Sequence, residues 1–197
     1  MSSKPKRKVK STKYAPGTVH QTSQGPLRII ENWGRAESKR RGFSNTRAIV
    51  EFIETGYVAN VQVSNIPADK VKDRRRPSVY GVGFIGSDIR IPSRESGSEV
   101  RRAYDVWANM LKRCYGDYDD YSYDGVVVDK RWHSFTNFLN SLPKIPGYEL
   151  WVERPFEYQL DKDIRVPGSK VYSLDTCSFV TIAENMADCL KRRWGKN

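Results

Sequence analysis

The chain has 197 residues and a formal net charge of +11 at pH 7, from 34 Lys and Arg against 23 Asp and Glu. This length suits one medium domain or two small ones, and no apolar run is long enough to cross a membrane. The three cysteines are widely spaced and form neither a CxxC zinc motif nor a disulfide framework, so a reduced cytosolic setting is expected. The basic balance favours a polyanionic partner, because clustered Lys and Arg displace counterions from phosphates.

Residues 1–25 are rich in Lys, Ser, Thr, Pro and Gly and contain few large apolar side chains. Six Lys and Arg lie within residues 1–13 without any acid, so this segment carries six of the eleven net charges. Such a composition cannot offset its ordering entropy by burial and predicts a disordered basic arm. The arm could follow phosphates, become ordered on a protein partner, or aid solubility.

A small β-rich domain is predicted over residues 26–95. Short β-favouring runs at 27–33 and 47–55 are followed by residues 57–64, in which apolar side chains alternate with others. The residues Glu54-Thr55-Gly56 form a plausible hairpin turn between the last two runs. The interpretation is a twisted antiparallel sheet of SH3-like type.

The glycines of residues 81–86 match a GxGxxG pattern through Gly81, Gly83 and Gly86. A phosphate-binding loop of this kind needs a helix directly after it, and Ser87 to Pro92 is not a helical sequence. The pattern therefore predicts close backbone packing or a bend.

An α+β domain is predicted over residues 96–197. Ser96 with Glu99, and Thr181 with Glu184, have the spacing of capping boxes that begin helices. Apolar stripes at helical spacing follow both boxes, and a third stripe occupies residues 132–142. Short strands are predicted at 125–130 and 158–165, and no internal repeat is visible.

Three short blocks in this region carry a family resemblance. They are Tyr104-Asp105-Val106-Trp107-Ala108-Asn109-Met110-Leu111-Lys112-Arg113-Cys114-Tyr115; then Gly125-Val126-Val127-Val128 with Arg131-Trp132 and Phe135; then Leu160-Asp161-Lys162-Asp163 through Tyr172-Ser173 and Cys177-Ser178-Phe179-Val180. Their order resembles a bacteriophage family related to HNH homing endonucleases, and the resemblance covers most of residues 27–186. It implies an HNH-like ββα-containing module, acting in the cytoplasm of an infected bacterial host or in a virion.

In a nuclease of this family, one His deprotonates the attacking water, and a second ligand helps to hold a divalent cation on the scissile phosphate. The resemblance puts the first His directly after Leu160-Asp161, where this chain has Lys162. A lysine ammonium at neutral pH cannot act as the general base but can pair with a phosphate. The expectation is a catalytically inactive module that grips nucleic acid, most simply double-stranded DNA, through phosphate contacts and without a cofactor.

The predicted nucleic-acid contacts are all Lys and Arg side chains. Lys162 and Arg165 are the first candidates; the others are Arg113, Lys130, Arg131, Lys191, Arg192, Arg193, Arg74, Arg75 and Arg76.

Two alternatives remain open. The chain could be an active Mg²⁺-dependent endonuclease, in which His133 and Asp161 would be catalytic and Asp161 and Asn185 would bind the metal. It could also be a phage structural or host-interaction protein, since the aromatic residues and the basic arm would serve a protein partner as well.

Overall fold

A computed structural model describes residues 12–87, 89–117 and 123–194, and the chain divides into two compact units, Met1–Arg76 and Pro77–Asn197. The first unit is an antiparallel sheet, and the second combines helices with two small sheets. The α+β class predicted from the sequence is therefore confirmed. None of the helices within these described ranges has the length and apolar character needed to cross a membrane.

The first unit is a four-stranded antiparallel meander in the order β1-β2-β3-β4. Its elements are β1 (Val19–His20), β2 (Leu27–Trp33), α1 (Gly34–Arg40), β3 (Arg47–Phe52) and β4 (Tyr57–Gln62). Alternate residues of β3 point to one face and are buried there: Ala48, Val50 and Phe52. The alternation predicted for residues 57–64 is found in β4, where Tyr57 is buried, Ala59 and Val61 pack partly buried against the same core, and Val58 is exposed.

Part of the predicted disordered arm belongs to this sheet. Residues 1–11 lie outside the described residues, but β1 pairs with β2 through Val19 opposite Arg28. Backbone hydrogen bonds join Gly17 N to Ile29 O (2.8 Å) and Ile29 N to Thr18 O (2.9 Å). The composition did not reveal this pairing, because an added edge strand is held by its backbone and needs few apolar side chains.

The second unit has one aromatic core, to which α2, α3 and α4 contribute buried side chains and α5 contributes none. The helices are α2 (Glu99–Tyr115), α3 (Phe135–Ser141), α4 (Tyr148–Glu153) and α5 (Ile182–Trp194); the strands are β5 (Val127–Val128), β6 (Tyr158–Asp161), β7 (Val171–Tyr172) and β8 (Ser178–Thr181). β5 pairs with β7 in parallel, and β6 pairs with β8 antiparallel. The buried Trp107 of α2 donates from its indole N–H to the Trp132 carbonyl at 2.7 Å, so the largest core side chain is also satisfied.

The boundary between the units lies between Arg76 and Pro77 and not at the predicted residue 95. The glycine-rich segment accounts for the difference. A Cβ at Gly83 would overlap the side chains of Leu111 and Trp107, and Phe84 N donates to the His133 carbonyl at 2.9 Å. Close packing is therefore confirmed at Gly83 and Gly86, whereas Gly81 has a positive φ of +74° and open space at its Cβ position, and the packing attaches the segment to the helical core.

One helix cap and one helix start differ from the sequence prediction. α2 begins after Ser98, whose side chain accepts from Arg101 N (3.3 Å), while Ser96 lies in a preceding 3₁₀ turn. The predicted helix 132–142 is divided at Ser134, which has an extended backbone and caps α3 by accepting from Asn137 N. In both cases a nearer serine provides the cap.

The three thiols differ strongly in burial, and this predicts their reactivity. Cys189 is exposed, Cys177 is buried and Cys114 is half-buried. Burial raises the pKa of Cys114 to about 11 and that of Cys177 to about 12. Since the thiolate is the reactive form, we expect a thiol reagent to label one cysteine quickly in the native protein, and a Cys189→Ser variant to lose that label. Fast labelling of the variant, followed by mass spectrometry, would contradict this.

Candidate functional site

β6, β8 and α5 form a continuous strand-strand-helix arrangement. The two strands pair from Tyr158 opposite Thr181 to Asp161 opposite Ser178, and α5 starts directly after β8. The predicted capping box holds this junction: Glu184 accepts from Thr181 N (2.8 Å), and Glu184 N donates to Thr181 Oγ1 (3.1 Å). The hydrogen bonds from Thr181 lower the pKa of the Glu184 carboxyl. The helix start is thereby fixed relative to the strand ends.

A groove of about 570 Å³ opens at the end of β6. Five cations and two carboxylates line it, so its charge is positive. The lining side chains used below are Arg113, Tyr123, Asp161, Lys162, Asp163, Lys170, Tyr172, Asn185, Cys189, Lys191 and Arg192. Lys162, Asp161 and Asn185, which the resemblance relates to one site, therefore meet in the same groove. We call it the β6–α5 groove.

Lys162 lies at the floor of the β6–α5 groove with its ammonium already paired. Its Nζ atom is 2.7 Å from Asp163 Oδ1, and the side chains are 7% and 10% exposed. The second Asp163 oxygen accepts from Arg192 Nη1 at 2.8 Å. Because Asp163 forms an ion pair with Lys162 and another with Arg192, the Lys162 ammonium is held in a buried charge network. The open part of the groove is lined by other side chains.

Asp161 shapes the turn that follows β6. Its Oδ2 atom accepts from the backbone N–H groups of Asp163 and Ile164, both at 2.7 Å. This side-chain bond ends the strand at Asp161 instead of at the predicted residue 165.

Arg113 lines the groove and forms no ion pair among the described residues. Its guanidinium lies 5.8 Å from the Tyr123 ring centroid and 5.5 Å from that of Tyr172. Its buried Nε atom has no hydrogen-bond partner, and no carboxylate of the described residues forms an ion pair with it. Burial raises the pKa of the Tyr172 hydroxyl, so that ring stays neutral. The two rings contact the cation through their π faces or edges without neutralising its charge.

Arg192 and Lys191 come from the last turn of α5. Burial lowers the pKa of Arg192, but the charges of Asp163 and Asp188 outweigh this effect and raise it above the ordinary value. Lys191 is exposed and lines the groove. The neighbouring Arg193 is exposed and is not among the lining residues.

The other predicted contacts in the second unit lie outside the groove. Arg165 donates to the Leu174 carbonyl (2.9 Å) and so braces a loop. Arg131 is bound to Asp129 at 2.7 Å with a side chain that is 70% exposed. Lys130 is exposed.

His133 contacts Tyr115. Its Nε2 atom is 3.4 Å from the Tyr115 hydroxyl, and the two rings meet edge-on with centroids 5.8 Å apart. Of the two residues proposed as catalytic for a nuclease, Asp161 lines the β6–α5 groove and His133 does not.

The three arginines predicted near residue 75 belong to the first unit. Arg75 donates to the Gly56 carbonyl at 3.3 Å, Arg76 lies 3.6 Å from Glu54, and Arg74 is half-buried.

The groove does not suit a divalent cation. Among the described residues, no three His, Cys, Asp or Glu side chains lie close enough to hold a metal ion. One Asp161 oxygen is used by two backbone N–H groups, and both Asp163 oxygens are used by cations. The remaining Asp161 oxygen and the Asn185 amide lie in a groove that is rich in positive charge, so the donor set favours an anion.

Two groove components were not predicted as contacts from the sequence. Lys170 donates to the Asp124 carbonyl (2.8 Å), and Tyr123 covers one side of Arg113. Lys170 follows Gly168-Ser169, a pair of turn-forming residues, and precedes β7, so a search for cations beside turn residues would have found it. Tyr123 offers no comparable signal, because its role depends on the distant α2.

Comparison of the chain with protein-family models, with curated proteins and with solved structures gave no match.

Proposed function

We propose that the protein binds duplex DNA through phosphate contacts in the β6–α5 groove. The observation that carries this proposal is the setting of Arg113: its guanidinium lies near two tyrosine rings, forms no ion pair with a described residue, and lines a groove with an excess of cations. A guanidinium with free N–H donors is suited to bidentate binding of a phosphate. Lys170 and Lys191 add positive charge along the same groove.

The proposal includes a degenerate HNH-like module. The order of β6, β8 and α5 agrees with the ββα arrangement that the resemblance implies, and Lys162 follows Asp161 at the end of the first strand. The antiparallel meander of the first unit agrees with the SH3-like interpretation. On this proposal the setting is an infected bacterial cell or a virion.

The role of Lys162 is revised within this proposal. Because its ammonium is buried against Asp163, we assign it to the support of Arg192 and the groove floor. Arg113 takes its place as the leading phosphate contact. The position of His133 outside the lining of the groove, and the bonds that already occupy the Asp161 and Asp163 carboxylates, weigh against the nuclease alternative.

An Arg113→Gln variant is expected to bind duplex DNA about tenfold or more weakly, because a hydrogen bond to a charged group contributes about 1.5–3 kcal/mol. The loss should be similar for unrelated sequences, since phosphate contacts carry no sequence information. The plot of log affinity against log salt should become shallower by about 0.9. Gel retardation of labelled duplex at several salt concentrations measures both quantities.

The matched control is Arg154→Gln, which removes the same charge from a surface arginine paired with Glu157 at 3.2 Å. Equal losses in the two variants would mean that net charge, and not the groove, determines binding. Retardation of single-stranded DNA or RNA in preference to duplex would contradict the choice of ligand. Absence of nucleic-acid binding would favour the protein-interaction alternative.

Incubation of supercoiled plasmid with Mg²⁺ or Mn²⁺ should leave the plasmid intact. Cleavage that EDTA abolishes would favour the nuclease alternative.

A further inference from the structure

The first unit carries two large aromatic rings outside its hydrophobic core. Among the described residues, neither Trp33 nor Phe43 belongs to the buried cluster of the sheet or to the apolar side chains packed against that cluster. The two rings instead contact each other, with centroids 6.1 Å apart and an angle of 34° between their planes. Both side chains are only half-buried. Large rings that the core does not use, and that solvent still reaches, indicate a binding role.

Each of these rings is paired with an arginine. The Arg41 guanidinium lies 4.1 Å from the Trp33 ring centroid, and the Arg47 guanidinium lies 4.7 Å from that of Phe43. One edge of the Arg41 group is fixed as well, because its Nε atom donates to Glu37 at 2.6 Å. The Arg41 side chain is nevertheless 45% exposed. The four side chains of Arg41, Trp33, Phe43 and Arg47 form a row of flat groups, which we call the aromatic–arginine surface.

The segment that builds this surface is strongly basic. Residues 33–47 contain five Lys and Arg and one acid, which gives a net charge of +4. The acid is Glu37, and its two carboxylate oxygens accept from Arg40 and Arg41. The hydrogen bonds from Arg40 and then Arg41 lower the pKa of the Glu37 carboxyl to about 2. Glu37 therefore positions two arginines and leaves the other cations of the segment without compensation.

Two cations of α1 are unpaired. Arg35 and Lys39 are exposed, and neither forms an ion pair with a described residue. They are four positions apart in a helix that begins directly after Trp33, so they share one face of that helix. Unpaired cations beside accessible flat groups suit a polymer that has both phosphates and unstacked bases. Duplex DNA does not offer its base faces, because they are stacked inside the double helix.

We propose that the aromatic–arginine surface, together with Arg35 and Lys39, binds single-stranded DNA. Bases stack on the exposed parts of the rings and guanidinium planes, and the two α1 cations contact phosphates. Since every base has a π face, the site has little sequence preference. The first unit thereby has a role independent of the groove, and only the choice of DNA over RNA rests on the proposed function. A single strand has a lower charge density than a duplex, so we expect it to bind more weakly than duplex DNA binds the groove.

Fluorescence anisotropy of a labelled oligothymidine of about 15 nucleotides, mixed with the full chain, tests the site. The Arg35→Gln/Lys39→Gln double variant should bind it about tenfold or more weakly. The plot of log affinity against log salt should become shallower by about 1.4, because each phosphate contact on a single strand contributes about 0.7. Both side chains are exposed, so the thermal transition should not change.

The matched control is the Lys70→Gln/Lys72→Gln double variant, which removes the same charge from two exposed lysines elsewhere in the first unit. It should bind oligothymidine within about twofold of the parent, since neither lysine belongs to the proposed site. Equal losses in the two double variants would overturn the proposal, because net charge alone would then account for binding.

Trp33 reports stacking directly. It is the one tryptophan in the sequence of residues 1–76, and oligothymidine should quench its emission. Trp33→Leu should lose this quenching and bind about fivefold or more weakly, whereas Trp33→Phe keeps a ring and should bind within about twofold of the parent. Because Trp33 lies outside the core, both variants should keep the thermal transition of the parent. Parent-like affinity of Trp33→Leu would overturn the stacking role.

The two DNA sites are distinguished by exchanging the ligands. Arg113→Gln should bind oligothymidine normally, and Arg35→Gln/Lys39→Gln should bind duplex DNA normally. Loss of oligothymidine binding in Arg113→Gln, or an equal loss of both ligands in the α1 variant, would overturn the single-strand site. If Arg113→Gln instead binds duplex DNA normally, the groove proposal fails while the oligothymidine results still decide this one. Tighter binding of oligouridine RNA or of anionic vesicles than of oligothymidine would overturn the choice of ligand.

Discussion

An Asp163→Asn variant is expected to lower the free energy of unfolding of the second unit by about 3–5 kcal/mol. The substitution leaves Lys162, whose side chain is 7% exposed, without its charge partner, and it breaks the ion pair with Arg192. A buried charge that loses its partner keeps its full desolvation cost. Urea unfolding followed by tryptophan fluorescence measures the effect, because four of the five tryptophans lie in residues 77–197.

The control for Asp163→Asn is Glu157→Gln, which breaks the exposed ion pair with Arg154 and should lower the free energy of unfolding by less than about 1 kcal/mol.

DNA binding by the Asp163→Asn variant gives a second readout. Because the Asp163 substitution removes a negative charge from the groove, the folded variant should bind duplex DNA at least as tightly as the parent. Weaker binding with unchanged stability would show that Asp163 serves the ligand and not the fold.

The second large effect is expected at Gly147, which precedes α4. Its φ of +82° is in the left-handed region, and a Cβ there would collide with the Phe179 carbonyl oxygen. The two segments cannot move apart freely, because Phe179 N donates to the Pro146 carbonyl at 2.7 Å. Gly147→Ala should therefore cost about 1–2 kcal/mol for the backbone conformation and about 1–3 kcal/mol for overpacking.

Gly97→Ala separates these two contributions. Gly97 also has a positive φ, +58°, but no atom lies within 4 Å of its ideal Cβ position. Its substitution should carry only the conformational cost, about 1–2 kcal/mol. Equal destabilisation of the two variants in thermal or urea unfolding would mean that the contact between Gly147 and β8 is not rigid.

Local patterns in the sequence predicted local structure well. The runs at 27–33, 47–55 and 57–64 correspond to β2, β3 and β4, and the capping box of Thr181 and Glu184 starts α5. These features depend on residues that are close in sequence, so their periodicity and cap chemistry are visible without a fold.

Features that depend on distant residues were not predictable in the same way. The sequence placed Lys162 within a strand predicted over 158–165, but only the tertiary structure shows that it is buried against Asp163, which also pairs with Arg192. The tyrosine rings around Arg113 come from residues 10 and 59 positions further along the chain. Likewise, the α5 pattern identified an amphipathic helix but not that its apolar face is exposed. Burial and charge pairing are properties of the folded chain, and a single sequence does not contain them explicitly.

The attachment of the glycine-rich segment to the helical core decides where the molecule can be dissected. A fragment that starts at residue 96 would lack Gly83 and Phe84 and would uncover Trp107 and Leu111, two of the most deeply enclosed side chains. Such a fragment would expose a large apolar surface to solvent and would be prone to aggregation during purification. Expression of the C-terminal half should instead start at Pro77, where the chain passes from one folding unit to the next.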